Sequence, residues 1–199
     1  MKNTLLFCNG VSGSGKTCFI KEYLPQDLFY GLRSATTRPM RKQESEGNPY
    51  FFRDEAYFEN AQLATRLWVN EKIWQPGMPR WLYGIPESEI YDNLGKNLVY
   101  DVIEPRYSRQ LIDWFNQKGL AKHYEFKIAY FLPYDNQEAV ISKRANMPND
   151  AIVRKDNTCN PIDFLNADLD IDYILQPINN KYNPRLIEHI RQLQSDFQR

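Results

Sequence analysis

Apolar residues along the chain fall into short unbroken runs and longer stretches at helical spacing, and the two alternate. Residues 4–9 read as a short apolar strand. Residues 16–24 then put Phe19, Ile20, Tyr23 and Leu24 on one helical face, with Pro25 as a stop. A second strand is expected over 28–34. Asp54 is placed to cap a helix running to about residue 63, with Phe58 and Leu63 inward. Residues 68–74 predict another short strand, followed by a turn-rich loop over 75–80. Pro86 opens a helix over 87–94 that Gly95 closes. Residues 97–102 form an apolar run suited to a buried central strand. An amphipathic helix over 105–118 groups Leu111, Ile112 and Phe115 and ends at Gly119. A strand over 124–132 is stopped by Pro133, residues 135–145 read as helical, and 146–161 as irregular and polar. Residues 171–175 are expected as the last strand. Asn183 and Pro184 open a final helix with Leu186, Ile190, Leu193 and Phe197 at helical spacing, a stripe that suits core or a dimer interface.

Strands alternating with helices predict an α/β fold with a mainly parallel sheet, and ligands in such sheets bind beyond the C-terminal ends of the strands. That places the residue 10–17 turn and the ends of the 97–102 and 124–132 strands on one rim. A length of 199 residues suits one domain with small insertions. Lys plus Arg and Asp plus Glu each number 25, and this zero balance argues against a general nucleic-acid or membrane-surface binder. Cys8, Cys18 and Cys159 show no close pair or metal spacing, and with only His123 and His189 beside them a structural zinc site is not expected. Cys8 and Cys18 are expected to pack as small apolar residues. The chain enters a strand without a signal peptide, and no apolar run is long enough to span a bilayer, so a cytoplasmic location is expected.

The most informative stretch is Gly10-Val11-Ser12-Gly13-Ser14-Gly15-Lys16-Thr17, which fits the G-x-x-x-x-G-K-[ST] pattern of a phosphate-binding P-loop. Glycines permit the left-handed backbone and close approach that let consecutive N–H groups converge on an anion. Gly10, Ser12, Gly13, Ser14, Gly15, Lys16 and Thr17 are therefore expected to bind ATP. Lys16 would reach the β- and γ-phosphates, and the Thr17 hydroxyl would hold Mg²⁺. Phosphate chemistry also needs positive charge on the far side of the transferred group. Arg38 and Arg41 supply one such cluster, and Lys143, Arg144, Arg154 and Lys155 another.

The stretch 34–50 is polar, basic early and acidic late. A solvated loop is its plainest reading. Its pattern Ser34-x-Thr36-Thr37-Arg38-x-x-Arg41-x-x-Glu44-x-x-Gly47-x-x-Tyr50, shortly after the P-loop, resembles the monophosphate-binding signature of the guanylate kinase family. Tyr83-Gly84, Tyr100-Asp101-Val102, the separation of Arg144 from Arg154-Lys155, and Asp172-Tyr173-Ile174-Leu175 extend the resemblance over most of the chain. It implies a three-layer P-loop fold with core segments 1–33, 88–134 and 161–199, a monophosphate-binding insertion over 34–87 and a lid over 135–160. It also implies an ATP- and Mg²⁺-dependent nucleoside monophosphate kinase, monomeric or homodimeric, with small-molecule nucleotides and no nucleic acid or membrane as partners. By the same resemblance Arg38, Arg41, Tyr50 and Tyr83 hold the acceptor's phosphate, and Ser34 and Asp101 face its base. Lys16, Arg144 and Arg154 are then the catalytic set. Such chemistry needs positioning and positive charge rather than a covalent nucleophile.

The chain departs from the family pattern on the base-reading side. Ile85 and then Pro86 stand where a Ser or Thr follows Tyr-Gly, so an alkyl group replaces a hydroxyl expected to bond the base edge. Asn70 and Glu71 compete for the position of the base-reading glutamate; Glu71 is taken as the substrate-binding one. Val99 stands two before Asp101, and Ile103-Glu104 replace Gln-Gly. The acceptor is therefore expected among GMP, dGMP or another monophosphate. The alternatives are a related acceptor such as a ribose phosphate, or a non-catalytic binding module, for which the intact P-loop is the wrong signature.

Overall fold

The computed structural model describes residues 2–69, 80–133, 159–178 and 181–182. In chain order the elements are β1 (Asn3–Gly10), α1 (Lys16–Glu22), β2 (Phe29–Gly31), β3 (Ala35–Thr36), β4 (Phe51–Phe52), α2 (Glu55–Asn60), β5 (Leu67–Val69), β6 (Trp81–Gly84), α3 (Glu87–Tyr91), β7 (Asn97–Val102), α4 (Pro105–Gln117), β8 (Tyr124–Phe131), α5 (Pro161–Asn166), β9 (Tyr173–Leu175), β10 (Pro177–Ile178) and β11 (Lys181–Tyr182).

Five strands form the main sheet in the order β2-β7-β1-β8-β9, and every pairing in it is parallel. β1 lies at its centre with Leu5, Leu6, Phe7 and Cys8 wholly buried, because a central parallel strand is covered on both faces. Alternation divides these residues between two cores. Leu5 and Phe7 pack with Leu98, Tyr100, Leu111 and Phe115 on the α4 side. Leu6 and Cys8 pack with Phe19, Val99, Ala129 and Phe131 on the α1 side. Each large apolar side chain sequestered this way contributes roughly 1.5–3 kcal/mol. Pro105 in the first turn pre-sets the start of α4, and Gly119 (φ 68°) takes the left-handed conformation just past its end. Inside the fold, the Asn9 side-chain amide donates to Ser108 Oγ (2.9 Å) and ties α4 to β1 beside the residue 10–17 turn.

A second, four-stranded sheet runs β4-β3-β6-β5, with β3 parallel to β4 and antiparallel to β6. It packs Ala35, Phe58 and Leu82 into a small core of its own. Asp54 caps α2 by accepting from the Tyr57 N–H (2.9 Å).

The mixed α/β architecture and parallel main sheet agree with the sequence reading, while several boundaries differ. α1, α2 and α3 stop two to three residues early, and after α2 the chain turns extended at Ala61. β2 is confined to Phe29–Gly31, because Leu32 leaves the ladder after one more bond, to Val99 O (2.8 Å). β9 begins at Tyr173 and is not the last strand, since β10 and β11 form an antiparallel hairpin after it. Segment 34–50 is a largely exposed loop only from residue 39 onward. Ser34, Thr36 and Arg38 are all buried, because β3 is an inner strand of the second sheet. β4, β6 and α5 were not anticipated. α5 carries a capping box in which Asn160 and Asp163 each bond the other's main chain. The strand expected over 68–74 is seen only through Val69. The helices expected over 135–145 and from 183 onward lie outside the described residues.

Candidate active site

Parallel registry aligns the ends of three strands. Cys8 pairs with Asp101, Asn9 with Val102 and Gly10 with Phe131, so the residue 10–17 turn leaves the sheet between the ends of β7 and β8. Gly10 is required there: at φ 153° a Cβ would lie 2.6 Å from Phe131 O. Gly13 and Gly15 also have positive φ (86° and 96°), which turns successive N–H groups inward as an anion nest. Ser14 Oγ is buried with no hydrogen-bond partner among the described residues. Lys16 is 6% exposed, and its ammonium folds back to donate to Gly10 O (2.7 Å) and Val11 O (3.1 Å), with Asp101 Oδ1 3.7 Å away. The Thr17 hydroxyl donates to Asp101 Oδ2 (3.0 Å). A carboxylate, a hydroxyl and an ammonium thus meet at the mouth of the nest.

The facing wall comes from the second sheet. Arg38, almost wholly buried, donates from Nε to the Tyr83 phenol (3.1 Å) and from Nη2 to both oxygens of Glu44 (2.8 and 2.9 Å). Its guanidinium lies 5.4 Å from the Tyr50 ring centre and 5.7 Å from that of Phe52. Tyr50 and Tyr83 meet edge to face at 5.5 Å. The Arg41 N–H donates to Glu44 Oε2 (2.8 Å), and Arg41 Nη1 is 3.8 Å from Glu44 Oε1. Burial opposes the charges of this cluster, but the mutual bonds of Arg38 and Glu44 outweigh it. The guanidinium is held above its usual range and the carboxyl below its own. Burial, aided by Tyr83 and Asp101 and opposed by Arg38 and Arg41, raises the Tyr50 phenol, which therefore stays a neutral donor.

Between the second sheet and the end of β7, which carries Asp101, is an open cleft. Ser34, Tyr50, Tyr83 and Asp101 line it, joined by Trp68, Tyr100, Glu104 and Tyr107. Four of the seven residues expected to bind the acceptor therefore share one cavity. Arg38 lies against Tyr50 and Tyr83, and Arg41 lies beside Glu44. Glu71, Asn70, Lys143, Arg144, Arg154 and Lys155 fall outside the described residues. Ile85 differs from expectation. Its side chain is wholly buried in the main core and is not among the residues lining the cleft.

The sequence reading did not single out Tyr100, Trp68 or Glu104 as site residues, and it gave Glu44 no role. Tyr100 was detectable, since it shares a strand face with Leu98 and Val102 yet carries a polar end. Glu44 required its three-dimensional partner to be known. Among the described residues no cluster of His, Cys, Asp and Glu suits a metal ion by itself. Cys8 and Cys159 offer no nucleophile. Burial pushes the Cys8 thiol well up, with Asp101 adding and Lys16 opposing. Burial also takes Cys159 up to about 12.

Comparison with known proteins gives a consistent picture. No protein-family model matches the chain. It is 28% identical over 185 residues to a guanylate kinase of Thermotoga maritima, covering 88% of this chain and 79% of that protein. It is 25% identical over 196 residues to a guanylate kinase of Rickettsia felis, covering 89% and 92%. Its fold matches the crystal structure of guanylate kinase from Anaplasma phagocytophilum with a TM-score of 0.54 at 15% identity, over 98% of this chain and 86% of that one.

Proposed function

We propose that this guanylate kinase-like P-loop kinase transfers the γ-phosphoryl group of ATP to the phosphate of a nucleoside monophosphate, with GMP the expected acceptor. The observation that carries the reading is the cleft: its walls hold Asp101, bonded to the P-loop threonine, and the Tyr50–Tyr83 pair backed by Arg38.

The P-loop suits a polyphosphate. Gly13 and Gly15 give the turn its left-handed backbone, the Ser14 hydroxyl has no partner among the described residues, and a Cβ at Gly10 would collide with β8. Lys16 rests on carbonyl oxygens of its own loop and would exchange them for phosphate oxygens. The Thr17 hydroxyl and Asp101 carboxylate would hold Mg²⁺. When bound, that ion supplies charge neutralisation across the phosphates. The residues of this chain position and screen. Tyr50 and Tyr83 offer their hydroxyls to the acceptor phosphate, and Arg38 and Arg41 offset its charge. Aromatic rings of Trp68, Tyr100 and Tyr107 give the base an apolar wall. Glu71 for the base, Arg144 and Arg154 for the moving phosphoryl group, the insertion over 34–87 and the lid over 135–160 rest on the family resemblance.

The test is ADP release from ATP and Mg²⁺ in the presence of GMP, dGMP, AMP, CMP and UMP in turn. The expected result is turnover with GMP well above that with ATP alone. Release that no monophosphate stimulates would overturn the reading.

A further inference from the structure

The chain passes from the main sheet to the second sheet at residues 32–34, and three successive residues there are held by different parts of the fold. The Leu32 N–H donates to Val99 O of β7 (2.8 Å), and Ser34 O accepts the Phe51 N–H of β4 (3.0 Å). Arg33, between them, is bonded through main chain and side chain to one carboxylate. Its main-chain N–H and its Nε both donate to Glu89 Oε1 (3.1 and 2.9 Å), and Nη2 donates to Glu89 Oε2 (3.1 Å). Glu89 is 5% exposed and belongs to α3, the helix that leads the chain back from the second sheet to the main one. The Tyr30 phenol of β2 donates to Glu89 Oε1 (2.9 Å) and accepts from Arg33 Nη2 (2.6 Å). One ion pair therefore ties together the outgoing crossing, the returning helix and edge strand β2. The second sheet meets this knot at the guanidinium. Arg33 Cζ lies 4.7 Å from the centre of the Phe51 ring and 5.7 Å from that of Tyr30. A Cβ on Gly47 would lie 3.6 Å from Arg33 Nη1, and the Gly47 N–H donates to Tyr50 O (2.9 Å).

We infer that Arg33 is a positioning residue for the acceptor, which sets how the second sheet stands against the main sheet. Arg33 is not among the residues lining the cleft. It acts through its neighbours: Ser34 follows it in the chain, and Tyr50 lies between the Gly47 turn and Phe51, both of which touch the guanidinium. Ser34 and Tyr50 line the cleft from the second-sheet side, and Asp101 lines it from the end of β7. The separation of these groups depends on how firmly the crossing is held. Arginine suits that task, because its planar fork fixes the carboxylate in two directions while its face packs on an aromatic ring. A cleft whose sides are set in advance binds with its full affinity. One whose sides drift is competent for only a fraction of the time, and its apparent affinity falls by that fraction. The P-loop runs between β1 and α1 on the main-sheet side of the crossing, so ATP does not sense the change.

The inference rests on the reading that the cleft takes a nucleoside monophosphate, and the test uses the full chain with ATP and GMP. Arg33→Met keeps the length of the side chain and removes the fork. KM for GMP should rise about tenfold, as expected for coupling carried by packed side chains. KM for ATP and kcat should stay unchanged, because saturating GMP itself spans the cleft and restores the placement. Leaving Glu89 buried without its partner should also lower thermal stability. The double variant Arg33→Met with Glu89→Gln separates the two effects. It removes the buried charge, so stability should recover in part, but the fork is still missing and KM for GMP should stay raised. A KM that returns to the wild-type value together with the stability would mean that Arg33 only neutralises Glu89, and would overturn the inference. An equal rise in both KM values would do the same. If Arg33→Met alone fails to fold, the double variant decides by the same KM ratio. Wild-type turnover of GMP with KM unchanged in both variants contradicts this inference alone, whereas no turnover of any monophosphate overturns the kinase reading and this inference with it.

Discussion

The P-loop and the second sheet are built to hold anions by different means. On the P-loop side the binding groups are main-chain N–H groups, and their geometry is fixed by backbone conformation at Gly10, Gly13 and Gly15. On the facing side the groups are long side chains, fixed by a buried network of Arg38, Glu44, Tyr50 and Tyr83. A main-chain cradle needs no buried charge to exist before its ligand arrives. A side-chain cradle does, and Glu44 supplies the counter-charge for Arg38 and Arg41. The first kind of site is a local property of eight consecutive residues. The second depends on residues brought together from the loop between β3 and β4 and from β6. Substitutions on the first wall should therefore remove activity and leave the fold standing, whereas on the second wall the two effects should be coupled.

The largest expected effect is on the P-loop side. Lys16→Met should lower kcat/KM by about 10³ with little change in thermal stability, since the charge it removes is aimed at transferred phosphate. Retained activity would break the distinction between the walls at once. Arg38→Met should raise KM for the monophosphate by about 10². It should also cost about 3–5 kcal/mol in urea denaturation, because Glu44 is left buried without its main partner. The double variant with Glu44→Gln should regain part of that stability and none of the affinity. Ile85→Thr sharpens the contrast further. A hydroxyl placed in the core should lower stability by about 1–3 kcal/mol and leave the order of preference among monophosphates unchanged.

The smallest effect is the pH dependence of the acceptor wall. Burial alone would raise the Glu44 carboxyl, but bonds from Arg38 and the Arg41 N–H, with their charges, hold it below its ordinary value of 4.5. A carboxyl depressed on folding adds stability above its unfolded value, and that stability is lost as pH falls through the folded one. Stability should therefore decline as the pH drops below about 4.5, and Glu44→Gln should flatten that slope. A slope unchanged by the substitution would place the acid sensitivity elsewhere.

The same contrast decides what was legible in the sequence. The P-loop could be read outright because its chemistry is a consecutive pattern, and β1, β7, α4 and β8 followed from unbroken or periodic apolar runs. The second sheet was obscure. β3 and β4 are two residues long, so they show no period, and the polar residues of 34–50 look solvated until Glu44 and Tyr83 are seen around Arg38. α5 was missed although Asn160, Pro161 and Asp163 carry its start signal, because six residues give too few positions for a helical stripe. Ile85 was misplaced for a different reason. Position after Tyr83-Gly84 was taken to imply orientation toward the base, but β6 ends at Gly84 and the side chain packs in the main core.

The central claim is that the two walls act on ligands held at the same time across one gap. A compound joining adenosine to guanosine through five phosphates tests it most directly, since such a ligand spans both cradles. Calorimetry on the wild-type protein should find it bound at least about 10²-fold more tightly than ATP or GMP alone, as expected when a second binding event becomes intramolecular. Binding no tighter than that of ATP by itself would mean that the walls do not face one another across a shared path, and the account would fail.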